Sequence, residues 1–216
     1  MRARALNKYV AGLLKDLSFA EAMARIAQEP PATMLKPLFS CLCSCDEKVK
    51  WYAVSAMGRV VSVLADTELE DARVVMRRFM WMLNDESGGI GWGVPEAMGE
   101  VMACQPEMAQ EFSHILVAFM REDGFYLELP ALQRGLMWGL GRLAACSQLN
   151  RDLLIAKDVM KYLPPYLESA DLLVQGLAIR AAAILDNKDI TSSLARRADI
   201  LAGLIYYDNG RFVSLV

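Results

Sequence analysis

Histidine is nearly missing from this chain: His114 stands alone among 216 residues. That leaves no pair of imidazoles for a histidine-based metal centre. No serine, cysteine or aspartate can be set beside His114 to make a base-activated nucleophile. Long apolar runs are missing too. None approaches the ~18 residues that cross a bilayer. The segment Met1 to Phe19 carries positive charge, but Lys8, Lys15 and Asp16 interrupt it where a signal peptide needs an apolar core. Alternating β-branched runs are few, and no Asn-Gly or Asp-Gly hairpin is expected. No charge dominates either. With 23 basic and 26 acidic side chains the net charge is −3 and the pI about 5.3, which offers no global attraction to nucleic acid or anionic membrane. Five cysteines, an odd number, fit a reducing compartment better than a disulfide framework. A cytoplasmic protein with no membrane and no nucleic-acid partner is therefore expected.

What is present is a repeat. Val54-Ser55-Ala56-Met57-Gly58-Arg59-Val60 returns as Pro95-Glu96-Ala97-Met98-Gly99-Glu100-Val101. It returns again as Met137-Trp138-Gly139-Leu140-Gly141-Arg142-Leu143, and more weakly as Ala178-Ile179-Arg180-Ala181-Ala182-Ala183-Ile184. The small residues Gly58, Gly99, Gly141 and Ala182 are spaced by 41, 42 and 41. A period of that length means stacked helix pairs that bury their apolar faces against one another.

Apolar residues recur at helical steps of three and four. Ser18-Phe19-Ala20-Glu21 and Thr67-Glu68-Leu69-Glu70 fit the capping box. Pro95 and Pro106 suit a first helical turn, while Pro30-Pro31 and Pro164-Pro165 mark breaks. The pattern predicts one domain over 1–216. A helical cap occupies 1–30. Four pairs follow at 33–44 with 47–64, 68–83 with 93–104, 107–121 with 130–146, and 151–163 with 171–186. A closing cap spans 187–216, with a helix near 191–206 and a loose tail after Asn209. A glycine inside a helix costs ~1 kcal/mol relative to alanine, and close approach of neighbouring helices is the natural compensation.

Cys45-Asp46-Glu47-Lys48-Val49-Lys50-Trp51-Tyr52-Ala53-Val54-Ser55-Ala56-Met57-Gly58-Arg59 resembles the HEAT repeat. Val49-Lys50 stands for the valine-arginine pair of that repeat and Ala56-Met57-Gly58 for its second-helix core. The second unit, with Asn84-Asp85 and Ala97-Met98-Gly99, has a longer loop. The third keeps Leu140-Gly141-Arg142, and the fourth has lost the glycine. The likeness covers residues 33 to 186 and is nearest the HEAT-like subtype first described in phycobilisome lyases. It implies an all-α, armadillo-type α-α superhelix, with first helices convex and second helices concave. The motif specifies fold and says little of function.

Equivalent positions of the second helices become neighbours in such an array. Seven residues before the small residue stand Trp51, Trp92, Arg134 and Gln175. One residue after it stand Arg59, Glu100, Arg142 and Ala183, which suggests a charged row. Between Asn84 and Glu96, four glycines surround Trp92 just before a helix begins. No Gly-Lys-Ser/Thr follows and no strand precedes, so this is neither a P-loop nor a dinucleotide fingerprint. Trp92 is either a packed spacer or a partner contact. Trp92, Glu96 and Glu100 could share a face. Cys41 and Cys45 would share one face of a helix, giving two ligands where structural zinc takes four. No metal, no cofactor and no catalytic residue is expected.

The expected function is that of a non-enzymatic scaffold docking a protein or peptide on its concave face through Trp51, Trp92, Glu96, Glu100, Arg134 and Trp138. The alternative is an enzyme resembling the HEAT-like DNA glycosylases, which hold damaged nucleotides with tryptophans and a carboxylate. The basic residues that phosphate binding requires are not abundant along this groove.

Overall fold

The computed structural model describes residues 3–84, 89–186 and 188–216. In chain order the helices are α1 (Ala3–Asp16), α2 (Phe19–Ile26), α3 (Pro31–Leu42), α4 (Glu47–Thr67), α5 (Leu69–Asn84), α6 (Val94–Cys104) and α7 (Pro106–Ala118). They continue as α8 (Pro130–Cys146), α9 (Gln148–Ile155), α10 (Val159–Tyr162), α11 (Pro164–Leu167), α12 (Leu172–Leu185), α13 (Ile190–Ala195) and α14 (Ala198–Leu201). Two short strands close the chain, β1 (Ile205–Asp208) and β2 (Arg211–Ser214).

Local chemistry sets where these helices begin. Asp46 accepts from the amides of Lys48 and Val49 at the start of α4, and Asp171 does the same for Leu173 and Val174 at the start of α12. Ser18 and Glu21 form the expected capping box. Prolines open α3, α7, α8 and α11 and sit in the first turn of α6, where no amide is needed. The capping box expected at Thr67 does not form. Thr67 is the last residue of α4 and its hydroxyl donates back to the Val63 carbonyl, while Glu68 accepts from the Glu70 amide.

The second helices form one continuous layer in which α4 packs on α6, α6 on α8 and α8 on α12. The small residues explain how closely. A Cβ at Gly99 would overlap the Cα of Gly139, and one at Gly58 would lie 2.7 Å from Glu100 Cγ. Met57 and Met98 are fully buried at equivalent places. The first helices α3, α5 and α7 lie against this layer, with α1 and α2 capping α3 and α4. In the fourth pair the expected single first helix, 151–163, is divided into α9 and α10 because Asp158 takes a left-handed backbone (φ 56°), and α11 starts beyond it at Pro164. No helix among the described residues is long and apolar enough to cross a membrane.

The end of the chain departs from expectation. The helix expected at 191–206 is two short helices, and the loose tail is an antiparallel hairpin pairing Tyr206 with Val213 and Tyr207 with Phe212. Its turn is Asn209-Gly210, with φ 44° and 86°. Two consecutive positive φ values belong to a tight hairpin turn whose twist matches its strands. The hairpin lies across the second helices. Gly210 rests on the Phe19 ring of α2, and Leu215 packs on Gly176 of α12.

Candidate functional site

Four second helices meet the hairpin around a cavity of about 660 Å³. Lys50 and Trp51 come from α4, Glu96 from α6, Arg134 and Trp138 from α8, and Leu173 and Leu177 from α12. Tyr206, Tyr207 and Phe212 form the hairpin side, and Cys43, Cys45 and Trp92 form the rim. Five of the six residues expected at a partner surface line this cavity; Glu100 does not.

Trp51 and Trp138 are not open to solvent. The Trp51 ring stacks on Tyr207 (centroids 4.9 Å apart, planes 12° apart) and tilts against Trp138 at 4.8 Å. Its Nε1 donates to Glu47 Oε2 at 2.9 Å. Trp138 Nε1 donates to the main-chain carbonyl of Tyr207 at 2.7 Å, and the Ser55 and Tyr207 hydroxyls are bonded at 2.8 Å. Tyr207 is 1% exposed. Burial pushes its phenol up to about 12, with the Ser55 bond pulling the other way.

Two ion pairs stand at the cavity. Lys50 Nζ lies 2.8 Å from Glu96 Oε1, and Glu96 is only 2% exposed. Burial works to lower the Lys50 pKa, but the neighbouring Glu96 carboxylate outweighs it, and the ammonium is held above its ordinary value. Glu96 Oε2 has no hydrogen-bond partner and packs toward Gly135. Arg134 holds Asp171 at 2.6 Å, so the carboxylate that caps α12 also ties α12 to α8. Burial works against the Asp171 carboxylate, yet Arg134 and the two capped amides keep its pKa below the ordinary value.

Trp92 precedes its helix, since Gly93 is the N-cap of α6, so it shares no helical face with Glu96. Gly93 has φ +73°, and a Cβ there would sit 2.6 Å from the Leu42 carbonyl, a place only glycine fills without strain. This turn leaves Trp92 40% exposed at the rim. Asp85 to Gly88 of the glycine-rich loop lie outside the described residues. The charged row forms in part. Glu100 pairs with Arg142 at 2.7 Å, whereas Arg59 turns away to lie over the Phe19 ring at 5.4 Å.

The shared face of Cys41 and Cys45 does not exist, because α3 ends at Leu42 and Cys45 lies beyond it. Among the described residues no group of three or more His, Cys, Asp or Glu side chains could hold a metal. His114 is exposed on α7. The thiols differ in environment. Burial pushes Cys41 up to about 11, and burial together with Glu100 pushes Cys104 up to about 12, while Cys45 and Cys146 are exposed. Since the thiolate is the reacting species, brief iodoacetamide treatment of the folded chain at pH 8 is expected to modify Cys45 and Cys146 and spare Cys41 and Cys104. Peptide mapping by mass spectrometry checks this, and early labelling of Cys104 would contradict its burial.

Sequence reasoning missed Lys50, Ser55, Tyr207 and Phe212. A signal for the last two was present, in Asn209-Gly210 flanked by Ile205–Asp208 and Arg211–Ser214.

Among solved structures, a computationally designed armadillo repeat protein for modular peptide recognition matches with a TM-score of 0.53 at 17% identity, over 91% of this chain and 82% of its own. The chain is an armadillo/HEAT-like repeat solenoid. Two more chains match this solenoid less closely. A second designed armadillo repeat protein has a TM-score of 0.45 at 19% identity, over 82% of this chain and 80% of its own. An engineered protein has a TM-score of 0.48 at 18% identity over 87% of this chain, which spans 50% of that protein's length. No family model and no curated protein matches the sequence. What these likenesses show is the fold alone.

Proposed function

We propose that this solenoid is a non-enzymatic scaffold that binds a protein partner through an extended peptide segment on its concave face, at the cavity beside the hairpin. The observation that carries the reading is the convergence of Lys50, Glu96, Arg134 and the exposed Trp92 on one apolar cavity of about 660 Å³. Aromatic residues and arginine are the favoured anchors of such contacts. That a designed protein of the same fold was made for modular peptide recognition supports the choice of ligand. Val49-Lys50 and Ala56-Met57-Gly58 suggest kinship of repeat, not of activity, with the phycobilisome-lyase subtype. Five free thiols suit a cytoplasmic setting. A base glycosylase gains nothing here, because the two cations at the cavity are each held by a carboxylate.

Trp92→Ala tests the reading. With Trp92 at the rim, the substitution should cost on the order of 1 kcal/mol or less in stability and abolish partner capture. Immobilised wild type, Trp92→Ala and a control variant, Trp81→Ala on α5, are compared on lysate of the native cell. A polypeptide held by the wild type and the control but lost by Trp92→Ala is the expected result. Equal retention by all three would refute the site, and specific retention of nucleic acid would favour the glycosylase.

A further inference from the structure

A helical array has no need of a β-hairpin, yet β1 and β2 cross the concave face from α12 to α2, and Tyr207 anchors them. Its ring stacks on Trp51, its hydroxyl meets Ser55, and its carbonyl accepts from Trp138. The strand register makes that carbonyl available. The Leu215 amide donates to the Leu204 carbonyl at 2.9 Å. Antiparallel pairs alternate between those that exchange hydrogen bonds and those that do not. Tyr206 and Asp208 therefore spend their main-chain groups on β2, and Tyr207 turns its own outward, toward the helices. The concave face thus reads an extended chain by its backbone and by one phenol ring, which is how peptide grooves work.

We propose that this face is a receptor for an extended, tyrosine-bearing segment, that the hairpin is its resident ligand, and that a partner segment of the same chemistry takes the hairpin's place. The inference rests on the concave face being a recognition surface. Three features support exchange. Two four-residue strands are marginal alone, and of their residues only Tyr207 is buried. The hairpin joins the array after Gly203 (φ +80°), where nothing lies within 4 Å of a Cβ position, so no packed side chain closes over the connection at this residue. An emptied face would bare the Trp51 and Trp138 rings, now covered by Tyr207, to water, which makes vacancy costly and favours a replacement of equivalent chemistry.

The test uses full-length chains and a fluorescently labelled synthetic peptide of residues 203–216. Because the resident hairpin masks the face, a Tyr207→Ala chain should bind the peptide about tenfold or more tightly than the wild type does. A peptide with alanine in place of that tyrosine should bind neither chain. Binding to neither chain by the tyrosine peptide, or binding indifferent to the tyrosine, would overturn the proposal. If Tyr207→Ala costs the fold, which circular dichroism reports, hydrogen exchange in the unaltered chain decides. The amides of Tyr206 and Val213 should then exchange about a hundredfold or more faster than those of α8, and exchange at the α8 rate would make the hairpin a fixed part and overturn its role as a ligand. A chain that takes a partner through Trp92 while ignoring the peptide would overturn the tyrosine inference alone and leave the scaffold reading standing.

Discussion

Gly99→Ala is expected to destabilise the fold by about 3 kcal/mol, lowering the melting temperature by roughly 6–12 °C for a chain of this size. On propensity alone the change should stabilise, since alanine is the better helix former by ~1 kcal/mol. Packing decides the sign. The added Cβ would overlap the Cα of Gly139, and its next neighbours are the carbonyl carbon and oxygen of the same residue, all of them backbone. No side chain can move aside, so α6 and α8 must separate. Gly58→Ala is the informative contrast. There the two nearest obstacles are side-chain atoms, Glu100 Cγ at 2.7 Å and Cys104 Sγ at 2.9 Å, and the first backbone atom, the Glu100 carbonyl oxygen, stands back at 3.3 Å. Its loss should be about 1 kcal/mol or less, because the propensity gain offsets part of it. Thermal melts of the two variants test the ranking. If Gly99→Ala melts at or above the wild type, the close approach of α6 and α8 is wrong.

Glu96→Ala should be of similar severity, at about 3–5 kcal/mol, because it leaves the Lys50 ammonium without its partner. The Lys50 side chain is 19% exposed and its nearest carboxylate lies 2.8 Å away. The Lys50→Met/Glu96→Leu double variant should recover most of the loss, since a packed apolar pair replaces a desolvated ionic one. Urea unfolding of Lys50→Met, Glu96→Leu and the double variant closes the cycle, and additive losses would show that the pair is not coupled. The pH dependence has a definite sign. The folded Lys50 pKa is raised, so its contribution is complete below the unfolded lysine value of about 10.4 and is lost as pH climbs through the higher folded value. The coupling energy should therefore persist above neutral pH and fall away in strong alkali.

Glu96 illustrates what a repeat sequence reveals and what it conceals. The 41- and 42-residue spacings place α4, α6, α8 and α12 side by side, and the pairing of Glu100 with Arg142 follows from that alignment. Helix starts at Ser18, Pro95 and Pro106 were legible because their chemistry is local. Which neighbour covers a side chain is not local. Trp51 and Trp138 sit on second helices, yet they are buried because a hairpin whose Tyr207 is 69 residues beyond Trp138 lies over them. Arg59 aligns with Glu100 by spacing but finds the Phe19 ring, supplied by the cap and not by a repeat. Thr67 carries the capping-box pattern, but α4 runs through it and leaves its hydroxyl to the helix behind.

The hairpin also changes what kind of object the array is. An open solenoid can fray from either end and can gain or lose a unit, because each unit touches only its neighbours. Here Ser55 and Tyr207 are bonded across 152 residues, Gly210 reaches Phe19, and Leu215 holds Gly176. A strap of fixed length thus joins the first units to the last. Duplicating or deleting one helix pair would pull Gly210 off Phe19, so the reach of the strap fixes the number of repeats over which the hairpin can close.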